Sequence, residues 1–523
     1  MPPANRQVLW VDDEIEMLAP HFVFLQERGY DVTKAHSGDD ALELVQKQRF
    51  DLVLLDEQMP GMDGLSTLEG IKRLAPNLPV VMVTKSEEER IMDQAIGQKI
   101  DDYLTKPVNP SQILSVIKRL LERRKIQSEH LAKKYVDDFN LLREALSPDA
   151  HWQEWLEAHL LLSRWDLDLD LFVNLGLDQT HREHKREWNV EFGRWFEREY
   201  PGWLANLDSA ERPPLSIDVV PRWLTPHLRA GRKVYFFVID CMTLDQWIGI
   251  EPEIAEYFQI ERDLYFSILP SATPFSRNAI FSGLFADEIQ RLYPELWQIG
   301  DKDEFSRNRL ERQLLDQQLD RLGVRLASPA KYVKVLDFAE GDSIARKFSS
   351  YKDTPLLSVV YNFIDHLAHG RSEDEILQEL APNEAAFRGL MRTWFVNSSW
   401  FKVLRKIARE PDAVAVVTTD HGSILGTKGT MAHGRRDTSA SLRYKFGDSL
   451  NANVKDAVVV QDPRQYRLPK FSSNTTYLLA REDYYFVYPT NFNEYQRKFA
   501  NTFVHGGISL PELVLPVATL KPR

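Results

Sequence analysis

Two apolar runs in this chain end in acids. VYFFVID (234–240) delivers Asp240, and AVAVVTTD (413–420) delivers Asp420 with His421 and Gly422 directly behind it. Runs of this kind read as buried strands of a parallel sheet, and in open α/β sheets ligand chemistry gathers beyond the carboxyl ends of the strands. A third run, LLSVVYNFI (356–364), leads into DHLAH, where Asp365 and His369 are spaced to meet on one metal; near the end, NTFVHGGISLPELVLPV sets His505 before two glycines. In PSATPFSRNAIFSG, Thr273 precedes a proline suited to begin a helix, and anionic oxygens are favoured at such a helix start. The candidates form two sets: Asp240, Thr273, Asp420 and His421; and Asp365, His369 and His505. Mixed carboxylate and imidazole ligation suits Zn²⁺ or Mn²⁺ better than Mg²⁺. Two metals roughly 4 Å apart clamp a phosphoryl group, and one of them activates a threonine hydroxyl.

A separate group lies near the start. Asp12 and Asp13 follow QVLWV, Asp56 follows DLVLL, and Lys106 with Pro107 follows DDYLT. Three carboxylates suit a hard cation such as Mg²⁺, and Lys106 is placed to contact an anion added to Asp56.

Five apolar strands alternate with helical patterns at Glu14–Arg28, Asp39–Gln48, Gly64–Leu74, Glu87–Gly97 and Pro110–Arg123. This alternation predicts a flavodoxin-like, doubly wound parallel sheet over residues 1–125. The last helix has no clear stop and reads as a lever leaving the domain. Trp152, Trp155, Leu156, His159 and Leu160, then Trp188, Phe192, Trp195 and Phe196, recur at helical spacing and predict a helical bundle over 126–212. These aromatics are core rather than a base-stacking platform. Pro213, Pro214, Pro221 and Pro226 mark entry to an α/β effector domain over 213–523.

The chain has 523 residues and a formal charge of −12, with 43% hydrophobic residues. It is long enough for several cores, and its acidity argues against wholesale attraction to nucleic acid or membrane. Its one cysteine, Cys241, excludes an internal disulfide, and neither a secretory signal nor a membrane-length apolar run is visible. A cytoplasmic location is expected.

The pieces VDDE, LLDEQMPGMDG, VTK and YLTKP make the first domain resemble the receiver of a two-component response regulator. That resemblance implies Asp56 as phosphate acceptor, Mg²⁺ on Asp12, Asp13 and Asp56, Thr84 and Tyr103 as switch residues with Lys106, and a cognate histidine kinase. The effector, through VID, the Thr273 stretch, IDHLAH, TTDHG and VHGG, resembles the PglZ domains of the alkaline phosphatase superfamily. The whole chain is similar to response regulators associated with type IX secretion. These resemblances imply two Zn²⁺ ions, Thr273 as nucleophile, and phosphodiester hydrolysis of cyclic and linear oligonucleotides. They also imply homodimerisation on phosphorylation and a sigma factor among the partners. Rival readings are a binding regulator of transcription with an inactive metal site, and a phosphomonoesterase or phosphomutase. Sulfate-ester hydrolysis is disfavoured, since no Cys or Ser stands in the required position before proline.

Weaker candidates complete the list. Arg277 and Asn278 lie one turn after Thr273, within reach of a phosphate oxygen. Lys428, Arg435, Arg436, Arg443 and Lys445 suggest a flexible basic segment for oligonucleotide phosphates. His181 and His184 in HREHK share a helical face, and a solvated face explains them better than a metal pair. His366 points away from the Asp365–His369 face and is structural, and Cys241 is simply buried.

Overall fold

The computed structural model describes residues 6–85, 100–145, 149–172, 176–297, 310–370, 375–434, 441–487 and 492–523. The chain divides into two units, Met1–Asp138 and Phe139–Arg523.

In the first unit β1 (Arg6–Val11), β2 (Tyr30–Ala35), β3 (Leu52–Asp56), β4 (Val80–Thr84) and β5 (Asp102–Thr105) form an all-parallel sheet in the order β2-β1-β3-β4-β5. The alternation of strand side chains builds two cores. Val8, Trp10, Leu52 and Leu54 meet Ile113 and Ile117, while Leu9, Val11, Val53 and Leu55 meet Ala41, Leu68 and Ile71. The helices are α1 (Ala19–Gln26), α2 (Gly38–Lys47), α3 (Gly64–Leu74) and α4 (Pro110–Ala145). The pattern expected as one helix over 14–28 is split into a short 3₁₀ turn, Ile15–Leu18, and α1. Pro20, lacking an N–H, sits in the first turn of α1 and opens a new helix rather than extending the old one. The helix expected over 87–97 lies outside the described residues. Helix α4 runs without interruption through the division between the units.

The second unit is built on a mixed six-stranded sheet. Its strands are β6 (Lys233–Ile239), β7 (Phe258–Phe266), β8 (Lys331–Val335), β9 (Leu356–Tyr361), β10 (Ala413–Thr418) and β11 (Val514–Pro522), in the order β7-β11-β10-β6-β9-β8. Strand β6 lies in the middle, parallel to both β10 and β9, and Val234–Ile239 are wholly buried. Thr418 pairs with Val238, so Asp240 and Asp420 leave the sheet at the same level. The run expected as strand to Ile364 stops at Tyr361, and α9 (Phe363–Gly370) begins at once. Ile364, Leu367 and Ala368 are buried at helical spacing, which decides for helix. Before that, α7 (Thr273–Ser282) starts at Thr273 with Pro274 in its first turn, as its sequence predicts, and α8 is Glu311–Arg321.

The second unit includes the helices α5 (Trp152–Leu171) and α6 (Asp178–Ala205). Their aromatics are core: Phe192, Trp195, Phe196 and Trp203 gather around Phe266 at the end of β7, with ring centroids 5.6–6.1 Å away. Trp195 also donates its indole N–H to the Ala150 carbonyl at 2.9 Å. Truncating such a residue removes both a large apolar surface and a satisfied donor. Trp195→Ala is expected to destabilise the second unit by about 3–5 kcal/mol and to leave the receiver's transition in place, as differential scanning calorimetry of the whole chain can show.

Candidate metal centre and receiver site

The sheet and its loops bring both predicted sets together. Asp240, Asp420 and His421 form one group, and Asp365, His369 and His505 another, each with its ligand atoms within 4.8 Å of one another. In the first group His421 Nε2 lies 3.6 Å from Asp240 Oδ1, 3.8 Å from Asp420 Oδ2 and 2.9 Å from Thr273 Oγ1. His421 Nδ1 faces the Gly422 carbonyl at 3.0 Å, which can only accept, so Nδ1 carries the proton and Nε2 offers a lone pair. In the second group the Nε2 atoms of His369 and His505 are 3.1 Å apart, and Asp365 Oδ1 lies 3.3 and 3.5 Å from them. Asp365 and His369 meet across one turn of α9, on the shared face that leaves His366 outside the group. The two groups adjoin, for the rings of His421 and His505 stack with centroids 4.1 Å apart and planes inclined by 13°.

Electrostatics shows what this arrangement lacks. Asp240, Asp420 and His421 are wholly buried, and so is Arg277. The Arg277 guanidinium contacts Asp240, reaches Asp420 Oδ2 through Nε at 2.9 Å, and lies 3.5 Å from Glu311 Oε1. Burial pushes the Asp240 carboxyl up to about 7 despite Arg277, and burial likewise raises Asp420. For Asp365 burial is outweighed by the neighbouring imidazoles of His369 and His505, which hold it well below the usual range. Burial, with the neighbouring His505, takes His421 down to about 3, so it is neutral and ready to ligate. Oδ1 of Asp240 and Oδ1 of Asp365 are buried with no hydrogen-bond donor. Carboxylate oxygens without donors, facing imidazole lone pairs, are a donor set for divalent cations. The residues therefore fit one ion on Asp240, Thr273, Asp420 and His421 and a second on Asp365, His369 and His505.

Several residues that hold this site carry no visible sequence signal. Asn362 donates to Asp240 Oδ2, leaving Oδ1 toward His421. Glu311, from α8, anchors Arg277 from behind and accepts from Tyr332. Glu512 binds Arg443 through both carboxylate oxygens and accepts from the Gly507 N–H at 2.9 Å, fixing the turn after His505. A lone acid inside the apolar run SLPELVLPV was the available clue to Glu512. Gly422 is required for space, since a Cβ there would lie 1.9 Å from the Pro511 carbonyl oxygen.

Other expectations are corrected. Arg277 and Asn278 are fully buried: the former ties carboxylates together and the latter donates to the Pro274 carbonyl at 2.9 Å. Their polar ends serve the fold of the site rather than a phosphate. The basic segment is not an open loop where it is described. Arg443 is buried just before a strand and Lys445 is buried on it, with burial taking Lys445 down to about 8, and Lys428 pairs with Asp483 at 2.8 Å. Arg435 and Arg436 lie outside the described residues. Nor is HREHK a solvated face: His181 is buried with Nε2 3.1 Å from Asp166, and His184 stacks on Phe139.

At the receiver, Asp12, Asp13 and Asp56 offer converging oxygens, with Asp13 exposed. Lys106 Nζ is 2.9 Å from both Asp12 and Asp56. Burial raises Asp56, and Lys106 only partly offsets it. Thr84, at the end of β4, is buried and donates to Glu57, a residue the sequence reading passed over; Tyr103 is exposed.

A parallel receiver sheet with a three-acid pocket, in one chain with paired carboxylate–imidazole triads, defines a response regulator with an alkaline-phosphatase-like output. Family models agree: the response regulator receiver domain matches residues 8–118, the PorX response regulator linker domain 125–204, and the BREX system PglZ alkaline phosphatase-like domain 219–520. The chain belongs to the PglZ alkaline phosphatase-like family and has the three-part organisation of a PorX-type response regulator. The alkaline phosphatase synthesis transcriptional regulatory protein PhoP of Bacillus subtilis is 28% identical over 179 residues, 32% of this chain and 72% of its own. A CheY-like receiver domain from Methanospirillum hungatei is 30% identical over 23% of this chain and 98% of its own, with a TM-score of 0.23. CheY4 of Vibrio cholerae is 31% identical over 23% of this chain and all of its own, with a TM-score of 0.22. Among the described residues no helix is long and apolar enough to cross a membrane.

Arg277 is the test of the charge balance. Arg277→Gln is expected to cost about 3–5 kcal/mol, the usual effect of leaving buried charges unpaired. Added Zn²⁺ should recover part of the lost stability, and Arg277→Lys should not rescue it, because one ammonium cannot span three carboxylates. Thermal unfolding with and without chelator reads both effects.

Proposed function

We propose that this chain is a response regulator whose output is a zinc-dependent phosphodiesterase acting on cyclic and linear oligonucleotides, switched by phosphorylation of Asp56 and dimerisation. The observation that carries the reading is the placement of Thr273. Its hydroxyl is held at the first turn of α7, 2.9 Å from His421 Nε2, beside two stacked ligand triads. Thr273 is buried rather than a surface threonine, and a hydroxyl so placed supports the role of nucleophile.

The ions proposed for the two triads are zinc, because imidazole supplies half of the six aspartate and histidine ligands. When bound they neutralise charge on phosphate oxygens and lower the pKa of hydroxyl or water. The chain's own part is positioning. Asn362 and Arg277 fix one oxygen of Asp240, Gly422 fixes the His421 tautomer, and Glu512 fixes the His505 turn. Thr273 Oγ1 attacks phosphorus, the ester bond to the first alcohol breaks, and that alcohol leaves with the threonine proton. Water then attacks the phosphothreonine; its proton returns to Oγ1 and the phosphate monoester departs.

At the receiver, phosphorylation adds about −1.5 to −2 charges and new acceptor oxygens. Thr84 leaves Glu57 and Lys106 turns from Asp12 to meet them, and this rearrangement favours pairing of two receivers. The proposed partners are the cognate histidine kinase that a receiver requires, a second copy of this chain, and a sigma factor. The proposed metal at Asp12, Asp13 and Asp56 is Mg²⁺.

With zinc-loaded protein and a chromogenic phosphodiester, Thr273→Ala is expected to lose roughly a thousandfold or more of turnover. Monoester turnover that exceeds diester turnover would make the enzyme a phosphomonoesterase, and full activity in Thr273→Ala would dismiss the mechanism. Separately, a small phosphodonor is expected to move wild type to a dimer in gel filtration and to leave Asp56→Ala monomeric. Identical elution of the two proteins counts against the switch.

A further inference from the structure

A cavity of about 560 Å³ lies within the second unit. Its walls come from α5, α6, α10 (Glu384–Asn397) and the stretches around Ile424 and Leu510, and no residue lining it is one of the metal-site candidates. The volume falls in the range of sites for small organic ligands, roughly 300–1,000 Å³.

Most of the charge in its wall is already balanced. Lys185 Nζ lies 2.9 Å from Asp166 and 3.1 Å from Glu384, and Arg388 binds Asp170 and Asp245 at 2.8 and 2.9 Å. Asp178, on the first turn of α6, also lines the cavity and forms no ion pair among the described residues, and two further features are left over. His159 is 5% exposed, and both of its ring nitrogens are buried with no hydrogen-bond partner. Burial takes this imidazole down to about 4, so it presents one donor and one acceptor in the plane of its ring. Arg182 and Arg186, one turn apart on α6, line the same cavity, are exposed, and form no ion pair among the described residues. Leu162, Leu169 and Ile424 supply apolar wall between them.

We propose that this cavity is a ligand site separate from the metal centre, and that its ligand is a nucleoside monophosphate. The flat base fits the apolar wall, one polar atom of its edge pairs with one ring nitrogen of His159, and the phosphate meets Arg182 and Arg186. The inference does not depend on the hydrolytic reading. The site stands behind the ligand-bearing turns: His159 shares a smaller recess with Thr243 and Ser423, which closely follow Asp240 and His421. The Gly422 N–H also bonds the Glu512 carbonyl at 3.2 Å, next to the lining residue Pro511. A bound nucleotide therefore presses on the backbone that places His421 and has a direct route to regulate the output.

The test is calorimetric titration of the full chain, stripped of metal by chelation, with AMP and with inorganic phosphate. Saturable one-to-one binding of AMP is expected, weakened at least tenfold in the surface double variant Arg182→Ala/Arg186→Ala and in His159→Leu, and unchanged in Thr273→Ala. Circular dichroism melting of the double variant should match wild type, because both arginines are exposed. No saturable AMP binding, equal affinity in the double variant, equal affinity for phosphate alone, or loss of binding in Thr273→Ala would each overturn the proposal. None of these outcomes bears on whether the metal centre hydrolyses diesters.

Discussion

Burying acids is costly, and this effector buries four of them around one guanidinium. Asp240, Asp365, Asp420 and Glu311 are nearly or wholly withdrawn from water, and Arg277, itself fully buried, reaches three of the four. Such a cluster persists only if every remaining oxygen finds a donor or a cation. Much of the local architecture follows from that requirement. Asn362 and the backbone N–H groups of Cys241 and His421 supply donors, and the imidazoles of His369 and His505 answer Asp365. Asp240 Oδ1 and Asp365 Oδ1 remain without a donor at the end of the sheet, each beside imidazole nitrogens, where a divalent ion would complete the balance.

The sheet makes this possible by register. Parallel strands β9, β6 and β10 present their carboxyl ends along one edge, so residues far apart in the chain arrive at one level. That part was legible in the sequence, because fully apolar runs announce central strands and the acids stand directly behind them. Thr273 was legible for a different reason, since a proline in the second helical position marks a helix start from composition alone. The receiver was equally readable, each of its acids and Lys106 lying at a strand end.

What escaped reading was set by packing between distant layers. Glu311 and Asn362 have ordinary sequence surroundings, and only the tertiary fold puts one behind Arg277 and the other on Asp240. Arg277 itself was visible but misassigned, because an arginine near a nucleophile suggests phosphate until the carboxylates around it are seen. The basic residues Arg443 and Lys445 misled in the same way: count and glycine spacing suggested an open loop, whereas Arg443 closes on Glu512 inside the core. In HREHK, charge density concealed a half-buried helical face that is covered by Phe139 and Asp166. Polar composition predicts exposure poorly wherever ion pairs are built into an interior.

The stacked rings of His421 and His505 carry one more implication. Each imidazole belongs to a different triad, yet at 4.1 Å neither ring can turn about its χ2 axis without its neighbour following. Orienting one lone pair thus orients the other, and the rotational entropy of two side chains is lost in a single event. Any substitution that removes one ring therefore loosens the other, so damage to either triad is felt by both.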